Sequence, residues 1–293
     1  MIRTRTSSLR EPDALFCGDI HLRDDKPVCR TDDFEKAQWD KLDFISSLQV
    51  KYNCPVLHSG DLFHAWKSSP YLLSKIIEHI PKQFFSVLGN HDLPQHNLEQ
   101  IGKSGINVLA KAGVLTIIKG CHFGQEPTDE HIINIKQRKL LLWHIMTYQT
   151  KEPYPGCTAP KAIKLLQENS DIDCILTGDN HNPFVEQYEG RILVNPGCMT
   201  RQTAAFADFL PRIYLYYADT NTVEAVYLPI EQGVVSREHI IKKEEHDGRI
   251  DAFVSHLQGE WKVGISFEDN LKEFASVNNV EKPIMDIINN FMQ

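Results

Sequence analysis

Apolar residues along this chain fall into short runs, and several of the runs end abruptly in a polar cluster. Those at residues 14–17, 55–57, 84–88, 140–143 and 174–176 have the length of buried β-strands. Phe34, Ala37, Leu42, Ile45 and Leu48, and then Leu72, Leu73, Ile76 and Ile77, recur near the helical period, which predicts helices after the first and second strands. Strands joined by helices predict a largely parallel sheet. After Gly105 the runs become short and β-rich, with strands predicted at 106–109, 114–118, 132–135 and 140–143. One more helix, around 162–167, precedes the strand at 174–176. Residues 184–188, 191–194, 213–217 and 223–228 then read as strands separated by turn residues. The economical architecture is α/β, two packed mixed β-sheets flanked by helices, with no internal repeat and no low-complexity segment.

From about Glu231 the pattern changes, which divides the chain into a domain at 1–230 and a segment at 231–293. A charged stretch at 236–249 leads to Ile250, Phe253, Val254 and Leu257, then to Leu271 and Phe274. Pro283 follows, suited to a first helical turn, and then Ile284, Ile287, Ile288 and Phe291. Three short helices without strands make a helical C-terminal appendage. It buries little on its own, so its apolar faces should pack on the first domain or on a partner.

Composition narrows the class without explaining it. At 293 residues with 42% apolar and 24% charged positions, the chain has the make-up of a soluble globular protein. It has no run of about 18 apolar residues, so no membrane span is expected. The first strand follows an N-terminus without an apolar signal core, which predicts a cytoplasmic protein. Seven cysteines, an odd number with no Cys-x-x-Cys pair, fit reduced thiols better than a disulfide framework.

Charge bears on a polyanionic partner. The formal net charge is -8, and residues from Glu231 onward hold seven Lys and Arg against twelve Asp and Glu, which leaves -3 for residues 1–230. Two divalent cations bound by carboxylates of the first domain would bring it to about +1. The loaded domain is then no barrier to a polyanion, and the acidic tail is a poor place to hold one.

The candidate chemistry sits at the ends of the apolar runs: Asp19-Ile20-His21, Gly60-Asp61-Leu62-Phe63-His64, Gly89-Asn90-His91-Asp92, His144, and Gly178-Asp179-Asn180-His181. Strand ends let a rigid sheet aim side chains at one point. Asp, His and Asn ligate hard-to-borderline divalent metals, and two such metals close together are a common device for attacking a phosphate ester. Singly, each motif reads as a turn or an ordinary histidine. In this order, all at strand exits, they resemble the calcineurin-like metallophosphoesterase superfamily over roughly residues 14–200, which implies its four-layer sandwich.

By matching position, the resemblance implies that Asp19, His21 and His181 ligate one metal, that Asp61 bridges both, and that Asn90 and His144 ligate the second. His91 matches the catalytic histidine that contacts the scissile phosphate and protonates the leaving oxygen, and Asp92 is expected to orient it from behind. One position departs. The superfamily's last motif usually reads Gly-His-x-His, and here the first His is Asp179. An Asp ligand there would favour Mn²⁺ or Mg²⁺ over Zn²⁺; the other reading is an Asp that has lost the ligand role.

Finer detail points to one branch. Asp61-Leu62-Phe63-His64 and the segment Asn195-Pro196-Gly197-Cys198-Met199-Thr200-Arg201 resemble SbcD-type DNA repair nucleases. That resemblance implies a phosphate role for His64, a substrate role for Arg201, and an SMC-like ATPase subunit as partner. Trp66 could stack on a base. The expectation is a dimetal phosphodiesterase acting on DNA or RNA, an exo- or endonuclease using Mn²⁺ ahead of Mg²⁺, Fe²⁺ or Zn²⁺, with a homodimer also open. Two other readings stand beside it: a phosphodiesterase for small or cyclic nucleotides, and a metal-poor scaffold subunit of the kind that the retromer complex built on this fold. The intact Asp19, His21, Asp61, Asn90, His91, His144 and His181 argue against the scaffold.

Overall fold

The computed structural model describes residues 10–238, 240–243, 247–251 and 266–291. In chain order the strands are β1 (Ala14–Cys17), β2 (Val56–His58), β3 (Phe84–Ser86), β4 (Thr116–Ile117), β5 (Ile132–Ile135), β6 (Arg138–Trp143), β7 (Cys174–Thr177), β8 (Phe184–Tyr188), β9 (Arg191–Asn195), β10 (Arg212–Tyr217) and β11 (Thr222–Tyr227). The helices are α1 (Phe34–Tyr52), α2 (Pro70–His79), α3 (Gly105–Lys111), α4 (Ala162–Glu168), α5 (Phe267–Val277) and α6 (Lys282–Phe291).

Two sheets form. One has the order β11-β10-β1-β2-β3-β4, the other β5-β6-β7-β9-β8. Strands β1 to β4 run parallel, as do β6, β7 and β9, while β10, β11, β5 and β8 pair antiparallel at the margins. The helical connections after β1 and β2 account for the parallel part, since such a crossover returns the chain in the same direction.

Burial explains why the central strands read as unbroken apolar runs. Along β1, Ala14 and Phe16 join one apolar cluster with Leu57, Leu140, Leu142, Leu176 and Tyr216, between the sheets. Leu15 and Cys17 point the other way, into a cluster with Trp39, Leu42 and Ile45 of α1 and Leu72 and Ile76 of α2. A strand covered on both faces has no polar side to show. On the second sheet, Leu141, Trp143, Ile175 and Leu193 pack on Ala162, Leu165 and Leu166 of α4. The result is the helix–sheet–sheet–helix layering that the sequence predicts.

One predicted strand is a helix. Residues 106–109 lie in α3, where Ile106 and Leu109 are buried and Val108 is 52% exposed, the pattern of one helical face. The Ser104 hydroxyl accepts from the Asn107 N–H and caps the helix, a start signal within the sequence. All seven cysteines are free thiols.

The chain divides into two compact units, 1–236 and 237–293. In the second, Ser266 caps α5 by accepting from Asp269 N–H, with Glu268 and Asp269 in the first turn where the helix dipole favours acids. Further helical residues lie at 240–243 and 247–251. The stripe positions Phe253, Val254 and Leu257 fall outside the described residues. No described helix is long and apolar enough to cross a membrane.

Candidate metal centre

The parallel strands β1, β2, β3, β6 and β7 each end in a loop that carries one or more of the motif residues. The loops are stapled to one another through their backbones. The N–H groups of Ile20 and His21 both donate to the Asp61 carbonyl, each at 3.0 Å. The Asp179 N–H donates to the Asp19 carboxylate at 3.0 Å. His21, Asp61 and Asp179 all adopt left-handed backbone, with φ of 51°, 58° and 69°. Such conformations cost non-glycine residues on the order of 1–3 kcal/mol each and persist where surrounding bonds hold them.

Two glycines have a steric reason here. Gly60 has φ of 104°, and a Cβ on it would lie 2.5 Å from His144 Nδ1. A Cβ on Gly178 would lie 2.7 Å from Asp19 Oδ1. Any larger residue at either position would push the two sheets' loops apart.

Two groups of ligand atoms combine carboxylate and imidazole, each with members within 4.8 Å of one another, Asp19, His21 and His181 in one and Asp61, His144 and Asp179 in the other; a third such group, His21, His64 and His91, is imidazole alone. Asn90 joins the second, its Oδ1 3.1 Å from His144 Nε2. Asp61 lies between them, with Oδ2 3.7 Å from His21 Nε2 and 3.6 Å from His144 Nε2. His181 Nε2 is 3.5 Å from Asp19 Oδ2 and 3.0 Å from His21 Nε2.

The donor set fits divalent metal. His144 Nδ1 donates to the Ser59 carbonyl at 2.7 Å, which turns Nε2 towards Asn90 Oδ1 and Asp61 Oδ2. Carboxylate and amide oxygens and imidazole nitrogens thus converge on one space, the donor types that a divalent cation takes. Ionisation tells the same story. Burial, opposed by His144 and reinforced by Asp61 and Asp179, holds the Asp19 carboxyl well above the usual carboxylate range. Burial drives His21 down, but at His144 the fields of Asp61, Asp19 and Asp179 outweigh it and push the pKa up to about 9. The carboxylates demand positive charge.

His91 and His64 flank the first group. Their rings stack at 5.7 Å, and His91 meets His21 edge-on at 4.8 Å. Both line a cavity of about 170 Å³ with His21, His181, Arg23 and Phe206.

Two expectations need correction. Asp92 does not orient His91: its buried carboxylate accepts from Asp61 N–H (2.9 Å), Gly89 N–H (3.0 Å) and Phe63 N–H (3.1 Å), while His91 Nδ1 donates to the carbonyl of His64 at 2.7 Å. Burial and the Asp61 charge push the Asp92 pKa up to about 7 against the pull of those donors. Arg201 does not reach the histidine cavity: its guanidinium donates to the carbonyls of Ala207 and Glu231 on the flank of the domain. Trp66 is half-buried, two residues beyond His64 in the same loop.

Sequence reasoning missed Arg23 and Gln202. Arg23 pairs with Asp25 and donates to Gln202 Oε1 at 3.3 Å, and Gln202 Nε2 donates to the His21 carbonyl at 2.8 Å. The signal for Arg23 was its place two residues after His21 in the same loop; Gln202 had none.

Two predictions arise from this geometry. Asp92→Ala leaves three N–H donors without their acceptor, so unfolding free energy should fall by roughly 3 kcal/mol or more, measured by urea denaturation in EDTA. Asp92→Asn, which keeps one acceptor oxygen, should lose less. Asp179→His should retain two metals and shift preference from Mn²⁺ towards Zn²⁺ or Co²⁺. Asp179→Ala should weaken one ion selectively, on the order of 10-fold or more. Unchanged stoichiometry and preference in both would remove Asp179 from the ligand set.

Several solved structures resemble this chain. An archaeal phosphodiesterase aligns with 73% of this chain and 99% of its own, at 10% identity and a TM-score of 0.42. For Vps29 from Entamoeba histolytica the figures are 74%, 99%, 18% and 0.37. For the protein TT1561 of Thermus thermophilus they are 75%, 100%, 10% and 0.45. A comparison with curated protein sequences found no match. The family model for the calcineurin-like phosphoesterase superfamily domain matches residues 15–210, a span that holds every ligand atom described above. The chain therefore belongs to the calcineurin-like phosphoesterase superfamily.

Proposed function

We propose that the protein is a dimetal phosphodiesterase that cuts nucleic acid, a Mn²⁺-dependent DNA nuclease of the SbcD-like type. The observation that carries the reading is the convergence of two ligand groups on Asp61 with the His64 and His91 rings beside them. Asp19, His21 and His181 would hold one ion, Asn90, His144 and Asp179 the other, with Asp61 shared. When bound, the two ions would neutralise a phosphodiester's charge and activate water.

The chain's own residues do the rest. Because the His64 carbonyl fixes the proton on His91 Nδ1, Nε2 is left to carry a second proton to a departing alkoxide. Ser59 performs the same orienting task for His144. The carbonyls of Asp61 and His64 thus tie ligand loops and catalytic ring to one backbone scaffold.

The test is a panel of single-stranded DNA, duplex DNA, RNA, cyclic nucleotides and bis-p-nitrophenyl phosphate with Mn²⁺. Cleavage of DNA polymers supports the proposal. Hydrolysis of cyclic nucleotides alone would establish the small-nucleotide reading, and a protein that neither binds metal nor hydrolyses any ester would be a scaffold.

The acidic segment from Glu231 onward is, in this reading, a docking element for an SMC-like ATPase subunit in the cytoplasm rather than a phosphate grip. Deleting residues 249–293 should leave hydrolysis of bis-p-nitrophenyl phosphate within about 2-fold of the full chain and reduce action on a polymer or recovery of the ATPase. Loss of small-ester hydrolysis by a truncated protein with intact circular dichroism would place the tail in the catalytic machinery.

A further inference from the structure

On the flank of the first unit, away from the histidine cavity, a second cavity of about 280 Å³ is bounded by Arg30, the first two turns of α1, Arg201 and residues 229–231. Three cations line it in near-complete burial: Arg30 is 5% exposed, Lys41 4% and Arg201 3%. A buried charge is ordinarily paired. Arg30 is, its Nε donating to Asp32 at 2.8 Å. Of the other lining charges, Lys36 pairs with Asp40, and Asp33, which caps α1, and Glu231 are exposed carboxylates.

Lys41 and Arg201 are different. Among the described residues neither forms an ion pair with a carboxylate. Lys41 Nζ donates to the Ala37 carbonyl one turn earlier, and Arg201 donates to two carbonyls. Asp32 and Asp208 exert fields on Arg201, and Asp32 and Asp40 on Lys41, without reaching ion-pair distance. The first turn of α1, which adds the positive end of a helix dipole, faces the same space.

We propose that this cavity is a binding site for a phosphate monoester or free phosphate, held by Lys41 and Arg201 with Arg30 behind them. Two buried cations lack a carboxylate at ion-pair distance among the described residues, and a phosphomonoester group carries close to two negative charges at neutral pH, whereas a carboxylate or an internal phosphodiester carries one. Burial, with Arg30 and Arg201 next, pulls Lys41 down to about 8, and an anion in the cavity would reverse that pull. The site is independent of the metal centre and does not rest on the nuclease reading. A stretch of backbone links the two: Arg30 Nη1 donates to the Arg201 carbonyl at 3.1 Å, and the next residue, Gln202, donates to the His21 carbonyl.

The experiment is equilibrium dialysis of radiolabelled inorganic phosphate against the full-length protein in EDTA, where the metal centre has no ions to bring phosphate in. One phosphate per chain is expected. Lys41→Met should weaken it at least tenfold and Lys41→Arg should retain it, with circular dichroism reporting the fold. Absence of binding in EDTA, or wild-type binding by folded Lys41→Met, overturns the site.

Should Lys41→Met fail to fold, the Lys41 ε-methylene resonance of the wild-type, Mg²⁺-loaded protein decides: its titration midpoint should rise on phosphate addition, and an unmoved midpoint overturns the proposal. Competition by oligonucleotides identifies the source. Displacement by a 5′-phosphorylated strand and not by its unphosphorylated twin would mark a nucleic-acid end as the ligand; displacement by neither would mark free phosphate. Equal displacement by both would overturn the assignment of a monoester.

Discussion

Asp61→Ala should abolish binding of both ions and, with it, turnover. The substitution removes a carboxylate whose Oδ2 faces both ligand groups, at 3.7 Å from His21 Nε2 and 3.6 Å from His144 Nε2. Loss of any other ligand leaves one group whole, whereas loss of Asp61 removes the carboxylate that both ions would share. Thermal unfolding supplies a readout separate from activity. Ions that bind the folded state alone stabilise it by about 2.7 kcal/mol when present at 100 times their dissociation constant. Mn²⁺ should therefore raise the melting temperature of the wild type and leave that of Asp61→Ala unmoved. Asp61 Oδ1 also accepts the His91 N–H at 2.8 Å, so the variant should additionally loosen the 89–92 turn. A variant that keeps two ions and full turnover would show that Asp61 is not the bridge.

Which parts of this molecule were legible depended on where each side chain finds its partner. The central strands β1, β2 and β7 were readable because both faces are buried, so apolar residues alone mark them. Residues 106–109 were misread because four positions cannot distinguish a period of 2 from one of 3.6, and the cap at Ser104 was the signal that could have decided it. In the site, the residue types and their places at strand ends identified the atoms that converge. The bonds that orient them were not legible, because most run to backbone. Asp92, next to His91 in the chain, turns its carboxylate to three N–H groups, and the His91 ring is held by a carbonyl that any residue at position 64 would supply. Arg201 followed a motif-like Pro-Gly turn, yet a few residues beyond that turn its guanidinium has been carried to the flank.

His91→Ala should separate metal binding from chemistry. Its N–H and ring make different contacts: the backbone N–H serves Asp61, which alanine preserves, and the ring Nδ1 serves the His64 carbonyl. Both ions should therefore remain bound in the variant. Hydrolysis of esters with poor leaving groups should fall by about 10²-fold or more, the usual scale for removing a general acid. An activated ester such as bis-p-nitrophenyl phosphate needs little protonation and should lose much less; equal losses on both would assign His91 to phosphate positioning instead. His64→Ala sharpens the test. It removes a ring stacked 5.7 Å from His91 but keeps the carbonyl that fixes the His91 proton. Its effect should therefore be smaller than that of His91→Ala and similar for both classes of ester, as expected for a group that contacts the phosphate without donating to the leaving oxygen.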